Sequence, residues 1–142
     1  MKGIYRWRYF VLGLILFSVS ASIFAYARRK QAQIKREERE GAYQTTLKAY
    51  SEDLPSGKTR KEVEDYIHAR GAHIVQMCCV DERSALADLV KIGKEDAPWF
   101  CSEQNIYVAF QFAAAEPHDV VEAHDTDNLR KITIFRWLEG CL

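Results

Sequence analysis

The chain has 142 residues, with 20 Lys and Arg against 20 Asp and Glu, which is room for one ordinary domain with a core plus an appended segment. The zero net charge hides a split: residues 1–40 carry nine basic and three acidic side chains, net +6, and residues 41–142 carry eleven against seventeen, net −6. An acidic domain is poorly suited to neutralising phosphates, so nucleic acid is excluded as a partner.

Residues 1–8 form a basic flank. Residues 9–27, YFVLGLILFSVSASIFAYA, then run without a charge. As a helix they span roughly 28 Å, close to the ~30 Å hydrocarbon core. Tyr5, Trp7, Tyr9, Phe10 and Tyr26 sit near the ends of the run, where rings favour headgroups. The pattern predicts a single transmembrane helix, with the membrane as integral partner. The competing reading is a cleaved secretory signal ending at Ala25-Tyr26-Ala27. The length of the run and the following Arg28-Arg29-Lys30 favour retention.

Residues 28–41 are almost wholly charged or Gln and Ala, which predicts a solvated helical stalk ending in a break at Gly41. The rest, 42–142, is the small domain. Tyr43, Leu47, Tyr50 and Leu54 share one helical face. Leu54-Pro55-Ser56-Gly57 reads as a turn. Thr59 and Glu62 have the spacing of a capping box, which opens a second helix with Val63, Tyr66 and Ile67 inward and Gly71 as its stop. The segment 57–67, GKTRKEVEDYI, resembles the Gly-x-Thr helix start of small BamE/SmpA-like envelope α/β domains. The resemblance implies a small envelope domain and, covering eleven residues, assigns no site residue.

Residues 72–80 read as a strand, and 81–96 are ambiguous between a short helix and an extended segment. Residues 105–113 form a strand with Ile106, Val108, Phe110 and Phe112 on one face and Tyr107, Ala109 and Gln111 on the other. Residues 130–139 form another, with Ile132, Ile134 and Leu138 opposite Phe135 and Trp137. The expected fold class is α+β: a transmembrane helix and helical stalk, then two helices packed on a three-stranded, mostly antiparallel sheet.

Four cysteines, Cys78, Cys79, Cys101 and Cys141, have a disulfide-like density and no CxxC spacing. A bridge between neighbours in a strand is strained. Discarding it leaves Cys78–Cys101 with Cys79–Cys141, or Cys78–Cys141 with Cys79–Cys101. A single bridge with two thiols, and four reduced thiols, are the other options. Their acidic neighbours oppose thiolate chemistry. The polar loop holds His118, Asp119, His124 and Asp125, a weak alternative to the expectation of no metal and no cofactor, since it matches no ligand spacing. Trp99 and Phe100 are candidates for partner contact, against a plain role in the core. No GxSxG, HExxH or phosphate-loop motif is present, so no catalytic residue is assigned.

These observations point to a single-pass, membrane-anchored protein of the inner membrane. Its acidic domain is expected outside the cytoplasm, acting in protein interaction or envelope assembly. A count of positive flanking charges favours a cytoplasmic regulator instead, and a thiol-based redox enzyme is the remaining class.

Overall fold

A computed structural model describes residues 3–78, 80, 86–116 and 122–142, with side chains from Phe17 onward. The chain divides into two compact units, Met1–Gly41 and Ala42–Leu142. The first helix, α1 (Gly3–Asp53), runs through Gly41 without a break. A helix-interior glycine costs only about 1 kcal/mol relative to alanine, which good helix formers on both sides offset.

In the first unit, Ile23, Phe24 and Tyr26 are exposed, and the Arg28 guanidinium lies 4.5 Å over the Phe24 ring. The expected transmembrane helix requires correction: among the described residues, no helix is long and apolar enough to cross a membrane. The side chains of residues 9–16 lie outside the described residues. The part of the run whose side chains are described, residues 17–27, covers roughly 16 Å of helix, about half a hydrocarbon core.

The second unit begins with the end of α1, where Tyr43 and Leu54 are buried and Leu47 and Tyr50 pack on the core. The short helix α2 (Arg60–Ala69) follows a complete capping box. The Thr59 N–H donates to Glu62 Oε2 at 2.8 Å, and the Thr59 hydroxyl accepts from the Glu62 N–H at 3.3 Å. The Thr59 N–H bond is the largest of the contacts that hold the Glu62 carboxyl down at about 2. Such a cap contributes about 0.5–2 kcal/mol.

Four strands follow, β1 (Ile74–Met77), β2 (Ala87–Glu95), β3 (Glu103–Ala113) and β4 (Asn128–Glu139), in the order β1-β2-β3-β4 and antiparallel throughout. The sheet therefore has four strands where three were expected. The added strand, β2, lies in the ambiguous segment. Residues 87–90 are buried on both faces, which removes the alternation that marks a strand.

The helices cover one face of the sheet, where Leu54, Val63 and Ile67 meet Val108, Phe110 and Phe112. On the other face Leu89, Tyr107 and Ala109 form a smaller cluster with Met77, Val80 and Phe135 against it. At the irregularity between Lys91 and Gly93, a Cβ on Gly93 would stand 2.7 Å from the Tyr43 ring. Only glycine lets the helix sit that close.

Candidate functional site: an apolar end and a buried charge cluster

The pairing of Glu103 with Glu139 brings the start of β3 to the end of β4. Continuing that register by two residues places Cys101 beside Cys141, and they form a disulfide with Cα atoms 3.9 Å apart. This corrects both expected connectivities: the bridge ties β3 to β4 and leaves β1 untouched. Cys78 is exposed just after β1, and Cys79 lies outside the described residues.

Large apolar side chains beside the bridge and on the end of β4 face water. Trp99 is 91% exposed and Phe100 41%, their rings edge to face at 5.8 Å. The Leu142 N–H donates to the Phe100 carbonyl at 2.9 Å, so the exposed Leu142 side chain stands beside them. Trp137, 42% exposed, stacks on Phe135 at 5.9 Å. The competing reading of Trp99 as ordinary core packing fails on its exposure. Phe100 and Trp99 are instead held at the surface by the turn in which the Cys101 N–H donates to Pro98 O.

At the N-terminus of α2, a cluster that the sequence did not reveal lies inside the domain. Arg60 is 1% exposed. Its guanidinium meets Asp88 Oδ1 at 2.6 Å and Asp127 Oδ2 at 3.5 Å, donates to the Leu86 carbonyl and lies 4.1 Å over the Phe112 ring. A cation at a helix N-terminus opposes the helix dipole, and the two carboxylates offset this. Asp88 has no exposed surface, and its Oδ2 has no hydrogen-bond partner among the described residues. Burial pushes its carboxyl up to about 7, against the pull of Arg60 and with the help of nearby Glu64. No exposed atom of Asp88 is available to a ligand, so the cluster acts as a polar core. Arg60 carried a weak signal: it directly follows the capping threonine, so its side chain leaves the helix toward the sheet.

Outside this cluster, Glu64, His68, His73, Ile74 and Gln76 line an open cavity of about 350 Å³. The two histidines, without visible partners in the sequence, thus come together there. Of the loop residues considered as weak metal ligands, His118 and Asp119 lie outside the described residues. His124 sits 3.4 Å from Glu122, and the Asp125 carbonyl accepts from the Lys61 N–H at 3.2 Å. Among the described residues no group of three or more His, Cys, Asp and Glu side chains could hold a metal ion.

Fold and site define a small α+β domain, a two-helix layer on a four-stranded antiparallel sheet, closed at one end by a disulfide. In comparison with known proteins, no family model, no curated protein and no solved structure matches the chain.

Proposed function

We propose that the domain is a protein-interaction module of an oxidising, extracytoplasmic compartment and works without catalysis. One observation carries this reading: Trp99, Phe100 and Leu142 stand exposed beside the Cys101–Cys141 bridge, and Trp137 is exposed on β4, four residues before Cys141. Aromatic side chains held in place by a covalent link lose little freedom on binding, and Trp is among the residues that dominate interface energies. Disulfides persist in oxidising compartments, which supports the location. The bridge joins neighbouring strand ends without CxxC spacing, which favours a structural over a redox role.

The test has two parts, both on the full-length chain. Protein isolated without reductant and alkylated after denaturation should leave Cys101 and Cys141 unlabelled by mass spectrometry. A photoreactive phenylalanine analogue at Trp99 should yield a covalent protein adduct that disappears with Trp137→Ser. Labelling of both cysteines together with no adduct would overturn the reading.

A further inference from the structure

Among the described residues, the outer edge of β4 is covered only at its start. There the Gly57 N–H donates to Leu129 O at 2.8 Å, the Leu129 N–H donates to Lys58 O at 2.7 Å, and Thr59 bridges to Asn128. The irregularity between Gln111 and Phe112 skips Arg130, so the regular part of β4 begins at Lys131. From residue 131 to residue 139 no further strand lies beyond β4 among the described residues. A long open edge is a template for pairing with another chain. The opposite edge, β1, has only four residues.

We infer that this edge pairs with a second copy of the same chain, antiparallel, about a two-fold axis through Phe135, so that Lys131 lies opposite the partner's Glu139. This rests on the interaction reading above and deepens it by naming the partner. A two-fold axis normal to the sheet carries each side chain to the same face of the partner's sheet, so only registers that pair like faces are available.

Charge and cover then select among them. With the axis at Phe135, residues 131–139 pair with themselves over their whole length and two Lys131–Glu139 pairs form. Ile132 lies opposite Leu138 and Thr133 opposite Trp137. Moving the axis to Ile134 places Leu129, whose backbone is already bonded to Lys58 and Gly57, opposite Glu139, and Lys131 opposite Trp137. Moving it to Thr133 sets Arg130 against Arg136. Moving it to Arg136 sets that residue against itself. Lys131 and Trp137 are exposed and Glu139 is partly so. The Tyr107 hydroxyl, 3.3 Å from Glu139 Oε1, orients the carboxylate.

Lysine at an edge strand ordinarily blocks pairing. Here it has its opposite charge at the matching position, so it rejects other registers and admits this one. Opposed charges across strands are stabilising and like charges destabilising.

The experiment uses full-length wild type, Lys131→Glu and Glu139→Lys, with self-association measured by sedimentation or by energy transfer between labelled copies. Each single variant places like charges at both pairs and should weaken association by about tenfold or more. An equimolar mixture of the two variants restores both opposite-charge pairs and should associate as wild type within about threefold. That recovery also shows that neither variant has simply unfolded. A photoreactive group at Phe135 should link β4 to β4 in the wild-type dimer. A monomeric wild type, single variants that associate as wild type does, or a Phe135 link to a different protein would each overturn the inference. The Trp99 adduct is a separate measurement, so the interaction reading stands or falls independently.

Discussion

The inside of the α2 end and the outside of the disulfide end invert the usual rule of partition. Around Arg60, three charged groups are buried within reach of one another; around Cys101, two tryptophans and a leucine are exposed. Each arrangement opposes the hydrophobic effect, and such placements carry more information than ordinary ones. The difference lies in what compensates. The buried charges face one another, a backbone carbonyl and an aromatic ring, so most of their compensation comes from inside the fold even though Asp88 Oδ2 has no hydrogen-bond partner among the described residues. The exposed aromatics have no such compensation, and a partner is what would supply it.

By that contrast, the two regions respond differently to substitution. The largest effect is expected at Arg60→Ala measured at pH 8, above the Asp88 value of about 7, where the change leaves two buried carboxylates, Asp88 and Asp127, without their cation and should cost about 3–5 kcal/mol in urea unfolding of the full-length chain. A loss under 1 kcal/mol would mean that the cluster is solvated. Next is the pH dependence. A carboxyl raised to about 7 in the folded state, from an ordinary value of 3.8, stays protonated there while its unfolded counterpart ionises. Its contribution is therefore fully present below about 4 and is lost as pH rises to about 7, then level. Asp88→Asn should flatten that part of the stability profile, and an unchanged slope between pH 5 and 7 would rule out this origin. The smallest effect is expected at Trp99→Ser, within about 0.5 kcal/mol of wild type in the same unfolding measurement. A large loss there would place Trp99 in the core and dissolve the contrast.

Much of the scaffold is legible in the sequence because local chemistry determines it. Thr59 and Glu62 cap α2 through contacts three residues apart, and the alternation from Tyr107 to Phe110 sorts the two faces of β3 into their clusters. What depends on distant pairing is not legible. β2 lost its alternation because neighbours cover both its faces. The partner of Cys101 follows from the register of β3 against β4, and no reasoning about the adjacent Cys78 and Cys79 could reach it. Arg60 looks like one more surface charge until Asp88 and Asp127 arrive, 28 and 67 positions along the chain. The aromatic pair at Trp99 was visible as residues, whereas its exposure was not.

The bridge between Cys101 and Cys141 has a further effect on the longest hairpin of the sheet. Two strands of eleven and twelve residues could slide past one another, and a slip of one position would turn Ile134 toward water and Trp137 toward the helices. The covalent pin just beyond the ladder forbids that slip in the oxidised protein. It thereby reinforces the division of β4 into a buried and a wet side. Oxidation on this view is an act of alignment: the joined sulfurs lock covalently a register that the buried face of β3 and β4 already favours.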